Sequence, residues 1–519
     1  MAVRLVFYDG LDCIGGNKIL LEDGDTAVFL DFGTNFRAEG AFFDEFLRPR
    51  AICGLADLLE LGLLPPLKGA YREDLEIAER RWWDKLGTHP LYREVECRGV
   101  LFSHAHVDHC GYLGYLHAAI PVYTTLTTAL IMKAMQDTGR PELSRESCYL
   151  VPREVDEEHL LRSSDWRRVA ATQRQYFIMG TSTLAPAALD FWQRAPAARS
   201  LAPTPPKVGG ERVGDLELRF WPVDHSVPGA AAVGVRTAGG WVVYTGDLRL
   251  HGARAAATRA FMQEAARLAP AVLICEGTRP RVEKPVKEEE VLQRACEALR
   301  EVRGLVVADF GPRNVERLLS FLCAAREAGR RLAVLPKDAY LLEALHNAGE
   351  PGVPHPFEEE AIVLYVEAKV QRDRWERELL RRYREKRPDK LINAGTVARD
   401  PDGYVLCFSY YELHELIDIG VHGGTYFYSS CEPFNEEMRI DFAKMLAWVR
   451  HFGLTFLGGE DSRLHASGHI HGPGLEELVE TLRPRILVPV HTEDRDFFRR
   501  FAGTCRVVFP ARGESLSLG

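Results

Sequence analysis

The stretch Ser103-His104-Ala105-His106-Val107-Asp108-His109-Cys110-Gly111 constrains this chain more than any other. Three histidines and an aspartate fall within six residues, directly behind the apolar run Gly99-Val100-Leu101-Phe102. On an extended strand, alternation sets His104 and His106 on one side. A tight turn after the strand then swings Asp108 and His109 round to face them. Imidazole nitrogen and carboxylate oxygen suit zinc and similar borderline divalent metals. The bland alternative is a polar strand end with scattered histidines, and the H-x-H-x-D-H spacing behind an apolar run speaks against it. The spacing predicts a metal site.

Two metals about 3.5–4 Å apart hold both the attacking and the leaving oxygen of a displacement and lower the pKa of a bound water. Building such a site takes roughly six protein ligands and one bridging carboxylate. The early run offers four, and three further candidates stand at strand ends. His225 lies in Val223-Asp224-His225-Ser226, Asp247 in Tyr244-Thr245-Gly246-Asp247, and His491 in Val488-Pro489-Val490-His491-Thr492-Glu493. Each alone is a weak signal, since a lone histidine after a strand is more often packed or solvated than ligating. Their order and shared strand-end placement give them weight.

At 519 residues the chain exceeds one ordinary core. Short strands are expected at 3–8, 17–22 and 26–31, the last ending in Leu30-Asp31-Phe32-Gly33. Helical patterning marks 41–62, 72–86, 113–119, 125–135 and most of 140–200, with a proline- and glycine-rich loop at 201–214. Strands then return at 216–223, 231–237, 241–245 and 272–274. A second α/β series follows: helix 287–302, strand 305–308, helix 315–328, strand 331–335, helix 338–347. Its short connections predict a small parallel-sheet unit. The charged stretch 357–387 reads as a solvated helix laced with i,i+4 pairs, a basic face for a polyanion being the sharper alternative.

The net charge of -9 neither favours nor excludes nucleic acid, because a basic groove can sit on an acidic molecule. Eleven scattered cysteines without a C-x-x-C pair argue against a thiolate zinc site or a disulfide framework. They fit a reducing, cytoplasmic setting. The start reaches Asp9 and Gly10 too soon for a secretory signal, and no apolar run approaches the ~20 residues of a membrane helix. A soluble protein with no membrane partner is expected.

The H-x-H-x-D-H run, the later histidine and the strand ending in Asp247 resemble the metallo-β-lactamase fold. That resemblance implies an α/β αββα sandwich. It implies that His104, His106 and His225 hold one zinc, that Asp108, His109 and His491 hold the second, and that Asp247 bridges. Asp31 matches the superfamily's first acidic motif, which supports the ligands from behind. Glu276 at a strand end and Leu464-His465-Ala466-Ser467-Gly468-His469 resemble the β-CASP branch, the nucleases that include ribonuclease J. The implied organisation is a sandwich core over 1–279 and 451–519 with an inserted β-CASP domain over 280–450. The final motif departs slightly, with Pro489-Val490-His491-Thr492-Glu493 where ribonuclease J usually reads P-V-H-G-E.

The resemblance further implies two zinc ions, or manganese, and catalytic roles for Asp108, Asp247 and His469. Arg313, His465, Ser467 and Gly468 are expected to meet phosphate, and Asp224 and Glu276 to orient imidazoles. The implied activity is a ribonuclease acting on single-stranded RNA, exo- or endonucleolytically, as a homo-oligomer and specifically a dimer. A DNA nuclease of the same branch is the alternative. A lactonase or thioesterase fits less well, since a small substrate needs no second domain to make a cleft. A silent RNA-binding subunit would be expected to have lost ligands.

Overall fold

Strict alternation builds the frame of this computed structural model, which describes residues 3–44, 46–433 and 436–518. In Val3–Asp9, Val3, Leu5 and Phe7 face one core while Val6 and Tyr8 face another. In Gly240–Tyr244, Val242 and Tyr244 turn inward and Val243 turns outward. Period-two patterning with apolar residues at both phases makes strands buried on both faces.

These strands form two sheets packed face to face. The first has eight strands, in the order Lys207–Val208, Tyr176–Met179, Val122–Thr125, Cys97–Leu101, Thr26–Phe32, Lys18–Asp23, Val3–Asp9, Ser515–Leu518. The second has seven, in the order Arg212–Val213, Leu216–Pro222, Ala231–Thr237, Gly240–Tyr244, Val272–Glu276, Ile486–Val490, Arg506–Val507. Leu5, Ile19, Val28 and Leu30 meet Val233, Val242, Ile274 and Val488 between them. Outside the second sheet, Phe261 and Ala265 of helix Ala255–Arg267 and Leu475 and Leu478 of helix Gly472–Leu482 cover Val243 and Leu273. Outside the first, helix Leu126–Thr138 contributes Ala129, Leu130 and Met132. The layering is the expected αββα sandwich.

A third sheet of seven strands, all parallel, spans Leu305–Asp309 to Thr455–Leu457. Helices Glu288–Glu301, Val315–Glu327 and Pro336–Asn347 cover one face, and Ala394–Arg399, Glu415–Ile419 and Glu436–His451 the other. This is the predicted parallel unit, although its last strand lies beyond the expected limit at 450. The apolar cluster on its first face runs on into the sandwich, where the Tyr340 hydroxyl donates to Asp137 at 2.8 Å.

Several local expectations are overturned. Residues 140–200 hold strands at Tyr149–Leu150, Arg153–Val155, Leu161–Ser163, Ala171–Gln173 and Tyr176–Met179, and one α-helix, Pro186–Gln193. Pro152 and Gly180 interrupt any continuous helical run, and Pro186 stands where proline is tolerated, in the first turn of the one helix. The connections 41–62 and 72–86 fold only single turns, the longest being Ala56–Glu60 and Trp82–Leu86. Of 113–119 only the 3₁₀ turn Leu113–Tyr115 is helical. The stretch 357–387 divides into strand Ile362–Tyr365 and helix Arg374–Lys386, whose Arg374–Glu378 and Arg381–Glu385 pairs are the anticipated i,i+4 bridges.

The two sandwich sheets deliver the predicted residues to one rim. Gly240–Tyr244, Val272–Glu276 and Ile486–Val490 run parallel in register, so Asp247, Glu276 and His491 emerge at the same end. Across from them Cys97–Leu101 ends in the histidine run.

Candidate metal centre

The seven candidate ligands meet. Ligand atoms of His104, His106, His225 and Asp247 lie within 4.8 Å of one another, and so do those of Asp108, His109, Asp247 and His491. His106 Nδ1 stands 3.2 Å from His104 Nε2 and 3.0 Å from His225 Nε2. In the second group His491 Nε2 is 3.1 Å from Asp108 Oδ2, and His109 Nε2 is 3.2 Å from Asp247 Oδ2. A tetrahedral zinc with bonds of about 2.0–2.1 Å has ligand–ligand edges of about 3.3 Å. The observed separations match such edges. Asp247 Oδ2 also lies 3.7 Å from His104 Nε2 and 3.6 Å from His491 Nε2, which puts one carboxylate between both groups.

The donor set fits a cation for a second reason. His109 Nε2 and both carboxylate oxygens of Asp247 are buried without a hydrogen-bond partner in the protein. Such orphans are costly unless something else satisfies them. Burial, with neighbouring imidazoles, holds His104 and His225 well below the usual histidine range, and burial with Arg313 holds His106 at about 3. Neutral imidazoles are what ligation requires. His109 differs: burial opposes its charge, but Asp247 and Asp108 raise its pKa well above the usual range. The spot where two carboxylates favour a proton is the spot where a cation is favoured.

Three of the imidazoles are oriented from behind. Asp31 accepts from His109 Nδ1 at 2.7 Å, from the Ser103 amide at 2.8 Å, and from the Ser103 and Tyr244 hydroxyls at 2.7 Å each. His225 Nδ1 donates to the Gly468 carbonyl at 2.6 Å, leaving Nε2 for the centre. His491 Nδ1 lies 2.8 Å from Thr278 Oγ1. Asp31 and His491 both adopt positive φ, 56° and 51°, a conformation that L residues rarely hold without cause. Gly33 is required next to Asp31 because a Cβ there would stand 1.7 Å from the Asp108 carbonyl oxygen.

The remaining candidates divide. Glu276 meets an imidazole as expected, its Oε2 lying 3.1 Å from His469 Nδ1 while Oε1 accepts from the Leu248 amide at 2.9 Å. His469 Nδ1 is also 3.6 Å from Asp247 Oδ2. Burial lowers its pKa, but Glu276 and Asp247 outweigh that and push it up to about 9. Its side chain is 21% exposed, whereas those of His104, His109, His225 and His491 are fully buried. Asp224 is a correction: its carboxylate pairs with Arg249 at 3.1 Å and touches no imidazole, because adjacent residues 224 and 225 point to opposite sides. Arg313 is another. Its Nη1 donates to the Ala105 carbonyl at 3.1 Å, so part of the guanidinium expected on phosphate is spent holding the histidine run.

Ser467 Oγ accepts from the His469 amide at 3.2 Å, and the Ser467 carbonyl takes Arg249 and His251. His465 Nδ1 lies 3.4 Å from the Ser429 carbonyl, and burial with nearby Arg317 lowers its pKa to about 4. Thr278, Ser103 and Tyr244 escaped sequence reasoning. Thr278 closes the Glu-Gly-Thr strand end, and Tyr244 and Ser103 stand just before Thr-Gly-Asp and the histidine run, but nothing in the spacing tells a hydroxyl that supports a ligand from one that faces water.

Residues 93–307 match the model of the metallo-β-lactamase superfamily. These residues are a metallo-β-lactamase domain. Strands 3–32 pair into the same eight-stranded sheet, so the metallo-β-lactamase fold extends N-terminal to the matched range. His491 lies in a second match, residues 462–501, to a Zn-dependent metallo-hydrolase RNA specificity domain, which also contains the H-x-S-G-H segment.

A ribonuclease J of Mycolicibacterium smegmatis is 25% identical over 284 residues, covering 54% of this chain and 47% of that protein. One of Corynebacterium glutamicum is 25% identical over 293 residues, 54% of this chain and 37% of that protein. One of Mycobacterium tuberculosis is 24% identical over 286 residues, 54% and 47%. The chain thus covers less than half the length of these relatives. The crystal structure of a protein of unknown function from Enterococcus faecalis aligns over 100% of both chains with a TM-score of 0.67 at 22% identity, a likeness of fold. Among the described residues no helix is long and apolar enough to cross a membrane.

Proposed function

We propose that this chain is a metal-dependent phosphodiesterase that cleaves single-stranded RNA in the manner of ribonuclease J. The observation that carries the reading is the convergence of seven ligands from both sandwich sheets at a rim that also carries His469, inside the stretch similar to an RNA specificity domain. His104, His106 and His225 would hold one divalent ion, Asp108, His109 and His491 a second, and Asp247 both; zinc is the preferred occupant by donor type, with manganese the alternative. Bound ions would activate the attacking water and neutralise the non-bridging phosphate oxygens.

The rest is done by the chain. Glu276 engages His469 Nδ1, so Nε2 is the ring atom left to face a substrate. The Glu276 carboxylate beside Nδ1 favours a proton on that ring, which His469 Nε2 delivers to the leaving oxygen. The parallel-sheet domain over 280–450, of β-CASP type, forms the second wall of the cleft, and Arg313 fixes that wall to the histidine run through Ala105.

The test is to incubate purified protein with 5′-phosphorylated and 5′-hydroxyl RNA and with matched DNA, before and after chelation. Metal-dependent cleavage of RNA with weak action on DNA is expected. Equal cleavage of DNA would move the reading to a DNA nuclease. Metal-restored turnover of a lactone or thioester with none on either polymer would sink it. Sedimentation of the same preparation decides the homodimer expected from the resemblance.

A further inference from the structure

Between the metal centre and the parallel-sheet domain lies a largely buried set of charges that the function above does not use. Arg249, two residues past Asp247, is 0% exposed and reaches four separate segments. Its Nε donates to Asp224 Oδ1 at 3.1 Å, Nη1 to Glu288 Oε1 at 2.9 Å and to the Ser467 carbonyl at 3.1 Å, and Nη2 to Glu316 Oε2 at 2.5 Å. Its backbone amide donates to the Asp224 carbonyl at 2.8 Å. Glu288 in turn receives Arg317, also 0% exposed, at 3.1–3.2 Å. Arg317 Nη1 finishes on the Ser429 and Leu464 carbonyls at 2.6 and 2.9 Å.

Three of Arg249's neighbours belong to the metal site. Asp247 precedes it by two residues, Asp224 precedes His225, and Ser467 precedes Gly468, whose carbonyl orients His225. That last contact is tight: a Cβ on Gly468 would come within 2.6 Å of Ser226 Oγ and 3.0 Å of the His225 ring. The segment 467–469 therefore has little room to shift without turning His225. A planar guanidinium with five donors fixes direction as well as distance, which an apolar seam would not.

We infer that Arg249 is a positioning residue: it holds the Ser467–Gly468 backbone where Gly468 aims His225 at the metal and where His469 stands beside Asp247, and it anchors that arrangement to the parallel-sheet domain through Glu288 and Glu316. This rests on the proposed roles of His225 and His469. Arg317 serves as the comparison, because it binds the same Glu288 but reaches the 464–469 segment only at the Leu464 carbonyl, three residues before Ser467.

Arg249→Lys keeps the charge but cannot span the partners. The experiment loads wild type, Arg249→Lys and Arg317→Lys with Co²⁺ and records the ligand-field spectrum, metal content, thermal midpoint, and kcat and KM on RNA. Arg249→Lys should retain both ions, show a changed Co²⁺ spectrum, and lose about 10–100-fold in kcat with KM nearly unchanged. Arg317→Lys should lower the thermal midpoint while leaving the spectrum and kcat within threefold of wild type. Should Arg249→Lys fail to fold, Asp224→Asn is read in its place and should shift the spectrum in the same direction.

A wild-type spectrum and kcat in the folded Arg249 variant overturn the inference. So do two arginine variants that lose activity in step with their melting. Were wild type inactive on RNA, the nuclease reading would fail, and the spectrum alone would still decide the role of Arg249.

Discussion

Asp247 Oδ2 faces five imidazoles, His104, His109, His225, His469 and His491, at 3.2–3.9 Å, and both of its oxygens lack a protein donor. On the proposed two-ion reading a group so placed would serve both ions, so Asp247→Ala should lower metal content at both sites rather than one, with activity falling by about 10²-fold or more. Elemental analysis that finds one site still full would show that Asp247 does not bridge. His469 stands differently, beside the ligands and partly exposed. His469→Ala should keep both metals and RNA affinity yet cut about 10²–10⁴-fold more slowly. Loss of a metal in that variant would make His469 a ligand with Asp247, Glu276 and His491, whose ligand atoms also lie within 4.8 Å of one another.

Among elements, the strand Leu305–Asp309 ends in a carboxyl that burial pushes up to about 7, although the Tyr426 hydroxyl donates to it. An unfolded aspartate titrates near 3.9. The folded state therefore binds this proton more tightly, and the stabilisation is full below about pH 4 and gone once pH has risen through about 7. Asp309→Asn should remove that part of the decline, up to about 4 kcal/mol at about 1.4 kcal/mol per pKa unit. Denaturant unfolding of both proteins at pH 5 and pH 8 samples about two pKa units of it, about 3 kcal/mol, and parallel declines would refute it. Elements of this kind were legible in the sequence wherever apolar residues occupied both phases of a strand or one face of a helix. The parallel unit follows from that reading, the seven converging residues from their spacing and strand-end placement, and the αββα frame from the family resemblance. What escaped was set by contacts distant in sequence. Asp224 and His225 look equivalent until the strand's alternation is fixed by its neighbours, and Arg313 reads as a free cation until Ala105 is found beneath it. The short strands of 149–179 fail for a related reason, since pairing partners decide them more than their own composition.

For the molecule as a whole, the ligands come from both sheets, so a bound ion ties the sandwich together. Chelation should lower the thermal midpoint, and free metal at 100 times its Kd should restore about 2.7 kcal/mol. Scanning calorimetry that shows no difference would mean that the centre is not occupied in the folded protein. The order in which the ligands occur along the chain carries a further consequence. Six precede the parallel sheet, and His491 follows it, on the strand that zips against Val272–Glu276. The outermost pairing, Val3–Asp9 with Ser515–Leu518, joins the earliest strand to the latest. During translation the inserted sheet is therefore finished while the cation centre still lacks a wall. On the ribonuclease reading, a nascent polypeptide stays inert toward the very message that encodes it until the strand leading into His491 has emerged.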